Sequence, residues 1–182
     1  LVQLVHDFSE QYTEMKKQRN MIDFNDMEHY ALQILTEEKD GTLVPSKAAC
    51  EYQDFIDEVM IDEYQDSNLV QETILTAVSG CSKGRNNMFM VGDVKQSIYR
   101  FRLSCPELFM DKYDRYSTED SKEQKIDLHK NFRSRREVLE SANYTFERLM
   151  RKDFGNIEYD ENAALNAGAD YPVLPKECEG LY

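Results

Sequence analysis

Apolar residues recur every three or four positions in the first part of the chain, and this spacing predicts amphipathic helices. Residues 1–19 form one such stretch. Asp23 stands just before a second stretch that reaches Leu35, and aspartate is a preferred helix-capping residue. The turn-forming letters EKDGT end this helix, and a third, short helix is expected to begin near Pro45. The first third of the chain is therefore predicted to be helical.

From the middle of the chain onward, short apolar runs alternate with helical stretches. EVMID (58–62), MFMV (88–91) and KIDLH (125–129) predict three strands. Ser67 and Ser134 are expected to cap the helices that follow the first and third strands. Strands that alternate with helices indicate an α/β fold, in which helices cover a parallel sheet.

The composition is that of an ordinary globular protein, and the distribution of its charge is uneven. The net charge of −13 argues against nucleic-acid binding if it is taken alone. However, Lys95–Arg102 and Lys130–Arg136 contain basic residues and no acids, and a local field can attract an anion. No apolar run approaches the about 20 residues that span a bilayer. No membrane association is therefore expected. The four cysteines form no CxxC pair, which favours free thiols in a reducing cytoplasm.

Two adjacent acids, Asp62 and Glu63, end the first predicted strand. Ligands of open parallel sheets gather at the carboxyl ends of the strands, where Mg²⁺ is a natural partner for Asp62. Glu63 could then orient or deprotonate a water that attacks a γ-phosphate. Two alternatives stay open from these residues: a solvated acidic loop that caps a helix, and a two-metal nuclease that uses Asp62, Glu63 and Asp66.

Four segments in a fixed order resemble a known family. They are DFNDMEHYALQIL, EVMIDEYQDSN, VGDVKQSIYRFR and LHKNFRSR. The last three resemble motifs II, III and IV of the UvrD/RecB superfamily of DNA helicases, and the wording is most similar to its AddA subfamily. The resemblance covers residues 20–150 and implies a partial RecA-like P-loop motor domain, a parallel sheet flanked by helices, with an N-terminal helical segment.

The resemblance implies a role for each matching residue at the nucleotide. Asp62 would hold Mg²⁺, Glu63 would be the catalytic base, and Gln96 would sense the γ-phosphate of ATP or the attacking water. Arg133 would be an arginine finger, and Phe132 would stack on the adenine. The family usually has tyrosine at position 132, so the flat ring is kept here and the hydroxyl is lost.

The same resemblance implies that the residues just after Gln96 contact single-stranded DNA. Tyr99 and Phe101 would stack on bases, which contributes about 1–3 kcal/mol per base without reading sequence. Arg100 and Arg102 suit phosphate contact. The structural alternative is that one of the two aromatic rings belongs to the core.

The domain organisation follows from the same match. Residues 1–55 would lead into the motor, 56–154 would be the second half of the first RecA-like domain, and 155–182 a linker or the start of a next domain. The intact protein would be a bacterial, cytoplasmic ATP-dependent helicase–nuclease subunit for double-strand break repair and recombination. It would use ATP and Mg²⁺, and its partners would be single- and double-stranded DNA and an AddB-type subunit.

Two features limit this interpretation. The chain contains no phosphate-binding G-x-x-x-x-G-K-[ST] loop and no recognisable nuclease constellation, so it is expected to be inactive alone. The alternative function is a non-enzymatic helical protein-interaction domain, in which Asp62, Gln96 and Arg133 would be far apart.

Overall fold

The computed structural model describes residues 1–98, 101, 103–151, 153, 158–161 and 163–172. These residues adopt a mixed α/β fold, with six α-helices and small sheets. Contacts divide the chain into two compact units, Leu1–Gln124 and Lys125–Tyr182. The domain boundaries predicted at residues 55 and 154 stay a prediction.

The chain begins with helices α1 (Val2–Gln18) and α2 (Phe24–Leu35), as predicted. The Asp23 side chain accepts a hydrogen bond from the backbone N–H of Asp26 at 2.9 Å, and the Asp26 side chain accepts one from Asp23 at the same distance. This reciprocal pair is a capping box, and it confirms the predicted cap. Lys16 of α1 pairs with both carboxylates, at 2.9 and 2.6 Å, which fixes the turn between the two helices.

A hairpin that the sequence analysis did not predict follows α2. Strands β1 (Thr36–Lys39) and β2 (Thr42–Pro45) pair antiparallel. Asp40 and Gly41 connect them with φ of 52° and 75°, as a two-residue hairpin turn requires. Helix α3 (Lys47–Phe55) begins where a helix was predicted.

Two predicted strands form a parallel pair in the first unit. Strands β3 (Val59–Ile61) and β4 (Met88–Met90) lie in register from Val59↔Met88 to Ile61↔Met90. A 3₁₀ turn (Tyr64–Asp66) and helix α4 (Leu69–Val78) connect them, and helix α5 (Pro106–Arg115) follows.

The predicted cap of α4 is wrong by one residue. The Asn68 side chain, not that of Ser67, accepts the hydrogen bond from the Gln71 backbone N–H, at 2.9 Å. Ser67 is buried and ends the preceding 3₁₀ turn, and its carbonyl accepts the N–H of Cys105 at 2.8 Å. The one-residue difference arises because the 3₁₀ turn continues through Asp66 and delays the start of the helix.

The second unit departs furthest from the prediction. Residues 125–129 do not form the predicted strand. The side chains of Ile126 and Leu128 are 69% and 85% exposed, so they lack the burial that would hold an apolar strand in a sheet. Strand β5 is only Lys130–Asn131, and it pairs in parallel with β6 (Asn166–Ala167).

Helix α6 (Arg136–Leu149) lies between these strands in sequence. Arg135 occupies its N-cap position and makes no side-chain capping bond, so the cap predicted at Ser134 is wrong. The N–H of Ser134 donates to the Asn131 side chain instead, at 2.8 Å, as part of the turn that precedes the helix.

The described core is small and lies between α3, α4 and β3. Its buried apolar members in the first unit include Ala49, Val59, Tyr64 and Ala77. Two amides, Gln53 and Gln65, are also buried at 0% and 1% exposure, so hydrogen bonds must compensate for their burial. Among the described residues, no helix has the length and apolar character needed to cross a bilayer.

Candidate functional site

The acidic turn stands directly after β3, at the carboxyl ends of the parallel strands. The Asp62 carboxylate accepts the N–H of Glu63 at 2.9 Å. Glu63 has a left-handed backbone, with φ 51° and ψ 39°, which is uncommon for a residue other than glycine. The N–H of Tyr64 then donates to the carbonyl of Val91, at 2.9 Å. This sharp turn leaves the side chains of Asp62 and Glu63 exposed beyond the end of the strand.

Tyr64 anchors the turn in the core. Its ring is fully buried, and its hydroxyl donates to Glu72 of α4 at 2.6 Å. Lys112 of α5 donates to the other oxygen of Glu72 at 2.7 Å. Burial raises the pKa of Tyr64 far above its usual value, and the hydrogen bond to Glu72 adds to this, so the hydroxyl stays a donor. The turn is thereby tied to two helices.

Gln65 bridges the acidic turn and the segment after β4. Its amide nitrogen donates to the Glu63 carboxylate at 2.6 Å, and its amide oxygen accepts the backbone N–H of Asp93 at 3.0 Å. A Cβ at Gly92 would lie 2.6 Å from the same amide oxygen, so the bridge requires glycine there. Glutamine is suited to this position because one amide both donates and accepts.

Asp93 extends the bridge to Gln96. One of its carboxylate oxygens pairs with the Lys95 ammonium at 2.9 Å, and the other accepts the Gln96 amide at 3.1 Å. Burial alone would raise the pKa of Asp93, but the hydrogen bonds from Lys95 and Gln96 outweigh it and hold the pKa below its usual value. Glu63, Gln65, Asp93 and Gln96 therefore form one hydrogen-bonded chain, which we call the relay.

Glu63 and Gln96, the two ends of the relay, were predicted as site residues from the sequence, whereas the hydrogen bonds that connect them were not. Neither Gln65 nor Asp93 was among the predicted site residues. The available signal was the Gly92–Asp93 pair directly after a predicted strand, where glycine permits close backbone approach and aspartate starts a turn.

Asp66 behaves differently from the other acids of the turn. Burial raises its pKa, and the negative charge of Glu63 raises it further. A two-metal nuclease would need Asp62, Glu63 and Asp66 to converge. Among the described residues, the one group of three or more metal-binding side chains whose ligand atoms lie within 4.8 Å is His6, Asp7 and Glu10, which is exposed on α1. The geometry therefore argues against the nuclease alternative.

The predicted DNA-binding segment is described only at Phe101. This side chain is 76% exposed, so it is not a core residue. Tyr99, Arg100 and Arg102 lie outside the described residues.

Phe132 and Arg133 belong to the second unit, and both side chains are exposed. The Asn131 carboxamide oxygen accepts the N–H groups of Arg133 at 2.9 Å and Ser134 at 2.8 Å, which closes a tight turn around the two predicted site residues. We call Phe132–Arg133 the corner. Its placement beside Asp62 stays a prediction.

Comparisons with known proteins agree with the family resemblance of the sequence. Residues 2–117 match the family model of the UvrD/REP helicase N-terminal domain. The chain is 54% identical to the A subunit of the ATP-dependent helicase/nuclease from Lachnoclostridium phytofermentans, over 98% of this chain and 13% of that protein. It is 52% identical to the protein of the same name from Bacillus velezensis and 49% identical to that from Clostridium beijerinckii, in each case over 94% of this chain and 14% of the relative.

Proposed function

This chain belongs to the UvrD/REP helicase family, and on that premise we propose that it is a segment of an AddA-type ATP-dependent helicase–nuclease subunit. The intact subunit would couple ATP hydrolysis to movement along single-stranded DNA during double-strand break repair, with an AddB-type partner. Identity of 49–54% to helicase/nuclease subunits over nearly the whole chain supports this proposal. Residues 56–154 would be the second half of the first RecA-like motor domain, and residues 1–55 would be a helical segment that leads into it.

The relay is the observation that carries the proposal. A motor must link the group that activates water to the group that senses the γ-phosphate, because both respond to the same bond cleavage. Glu63 and Gln96 have the residue types for these two tasks, and Gln65 and Asp93 connect them through hydrogen bonds of 2.6–3.1 Å. An interaction domain without a nucleotide site would give no reason for this connection.

The residues at the turn fit a bound Mg²⁺. Asp62 is exposed, forms no ion pair among the described residues, and supplies the hard oxygen ligand that Mg²⁺ prefers. Mg²⁺ would neutralise charge on the β- and γ-phosphates of ATP when it is bound. Asp62 would hold the ion, and Glu63 would accept a proton from the attacking water.

The roles of the remaining site residues are proposed from the family resemblance. Phe132 would stack on the adenine, and Arg133 would stabilise charge on the transferred phosphoryl group. The exposed ring of Phe101 would stack on a DNA base, and its neighbours would contribute a second ring and two phosphate contacts. Those neighbours are Tyr99, Arg100 and Arg102.

The decisive experiment is a substitution at Glu63 in the intact subunit. Glu63→Gln removes the basic oxygen and keeps the shape, so we expect DNA-stimulated ATP turnover to fall by about 100-fold or more. Binding of ATP and single-stranded DNA should persist. Glu51→Gln, at an exposed glutamate of α3, is the matched control and should leave turnover unchanged. Full turnover in Glu63→Gln, or an equal loss in the control, would contradict the proposal.

A further inference from the structure

A segment with little periodicity, residues 163–172, runs directly along the corner in the second unit. Strand β6 pairs with β5, and the N–H of Gly168 donates to the carbonyl of Asn131 at 2.8 Å. Asn143 of α6 holds the start of the segment with two hydrogen bonds to the backbone of Leu165, at 2.9 and 3.0 Å. The segment is therefore attached both to the strand that leads into the corner and to the helix that follows it.

Gly168 lies against the ring of Phe132. A Cβ at position 168 would lie 2.8–2.9 Å from three atoms of that ring, which is closer than real Cβ contacts. Glycine therefore lets the ring lie close to the backbone of the segment. The Phe132 side chain is nevertheless 64% exposed, so much of it stays available to another molecule.

Tyr171 contacts the backbone of the corner itself. Its hydroxyl lies 3.0 Å from the carbonyl oxygen of Phe132 and 2.8 Å from that of Arg133. Arg135 donates two hydrogen bonds, both of 2.8 Å, to the carbonyl of Pro172, and its guanidinium lies 5.4 Å from the centre of the Tyr171 ring. Arg135 thus contacts both the Tyr171 ring and the carbonyl of the residue that follows it.

We infer that Gly168 and Tyr171 are positioning residues that preset the corner for nucleotide: Gly168 sets the plane of the Phe132 ring, and Tyr171 fixes the backbone that carries Arg133. The purpose assigned to these residues rests on the proposed function, in which the corner binds nucleotide. The contacts themselves are present whether or not that function is correct. A preset ring and guanidinium lower the ordering cost that ligand binding would otherwise incur. Neither Gly168 nor Tyr171 needs to touch the nucleotide.

Hydrogen exchange tests the role of Tyr171 without any nucleotide. In the intact subunit, Tyr171→Phe removes only the hydroxyl, so we expect amides of the peptide 129–135 to exchange about 3- to 10-fold faster. Tyr144→Phe is the matched control, because Tyr144 is a 62% exposed tyrosine of α6 in the same unit. Exchange no faster in Tyr171→Phe than in this control would overturn the role of Tyr171.

A double-mutant cycle tests Gly168 through ATP kinetics. Gly168→Ala should raise KM for ATP by about 10-fold with kcat nearly unchanged, because the displaced ring acts in ground-state binding. In a Phe132→Ala background the added methyl meets no ring, so Gly168→Ala should then change KM by less than about 2-fold. An equal rise of KM in both backgrounds would overturn the role of Gly168.

The two measurements separate this inference from the proposed function. If Phe132→Ala alone leaves KM for ATP unchanged, the nucleotide role of Phe132 is wrong, and with it the purpose that we assign to Gly168. Faster exchange in Tyr171→Phe would still support a brace on the corner in that case. If both the KM effect and the exchange effect occur, the positioning role is supported.

Discussion

Removing the Gln65 bridge should lower kcat for ATP hydrolysis while the protein still folds. Gln65→Leu keeps the approximate volume and the apolar stem but deletes both hydrogen bonds of the amide. The Glu63 carboxylate then loses its only described hydrogen-bond partner, at 2.6 Å, and the N–H of Asp93 loses its acceptor at 3.0 Å. The carboxylate of Glu63 becomes free to rotate away from the position in which it would activate water.

The size of the effect can be worked from these two bonds. A hydrogen bond to a charged group contributes about 1.5–3 kcal/mol, and one between neutral groups about 1 kcal/mol. Because Glu63 is exposed, we take the lower end of about 1.5 kcal/mol for its bond, which gives about 2.5 kcal/mol for the two bonds together. If this preference for the productive orientation is lost in the transition state, kcat falls by about 70-fold.

Gln65→Glu gives a second, qualitatively different prediction. The new carboxylate would face the Glu63 carboxylate across the 2.6 Å now spanned by a hydrogen bond. Two carboxylates at this distance share a proton, so the pair takes up protons at a higher pH than a separate carboxylate does. The acid limb of the pH–rate profile should therefore move to higher pH.

The assay is steady-state ATP hydrolysis by the intact subunit with single-stranded DNA, corrected for the folded fraction. Gln53→Leu is the matched control, because Gln53 is also a buried amide and donates to Ala77 at 2.7 Å and Ser82 at 3.0 Å, in contacts separate from the relay. Both variants should melt earlier, but only Gln65→Leu should lower kcat. Equal kcat in the two variants, together with an unmoved acid limb in Gln65→Glu, would refute the relay as a functional connection.

Three further predictions concern the stability of the first unit and the activity of the chain. Gly92→Ala should lower the free energy of unfolding by about 1–3 kcal/mol in urea melts, because its methyl would overlap the Gln65 amide oxygen. Lys112→Met should lower the free energy of unfolding by about 3 kcal/mol, because it leaves the Glu72 side chain, which is 18% exposed, without its cation. Adding Glu72→Gln to this variant should recover part of that loss. The purified chain alone should show no DNA-stimulated ATP turnover, since its sequence has no phosphate-binding loop; turnover that Glu63→Gln abolishes would contradict this.

Features that depend on neighbouring residues were predictable from the sequence. The capping box at Asp23 involves residues three positions apart, and both α1 and α2 have sustained helical spacing. Strands β3 and β4 are short apolar runs that end in polar turns, so they were predicted as well. Asp62 at the end of a strand follows from the same local pattern.

Features that depend on distant partners were not predictable. The bond between Gln65 and Asp93 joins residues 28 positions apart, and no spacing rule selects that backbone N–H. The contacts of Tyr171 with the corner span 38 and 39 positions, and they order a region whose composition resembles a linker. The hairpin β1–β2 was missed because its first strand is polar and three of its four residues are exposed, although Asp40–Gly41 is a hairpin turn signal.

The order of residues in the acidic turn explains how four adjacent positions serve two purposes. Asp62 and Glu63 are exposed, whereas Tyr64 and Gln65 are buried at 0% and 1% exposure. The left-handed backbone of Glu63 costs about 1–2 kcal/mol, and a turn under such strain persists only when its surroundings fix it. The buried pair does this, because Tyr64 bonds Glu72 on one side and Gln65 bonds Asp93 on the other. The residues that hold the carboxylates in place therefore follow them directly in sequence. A substitution at either buried position should lower ATP turnover by shifting the backbone of Glu63.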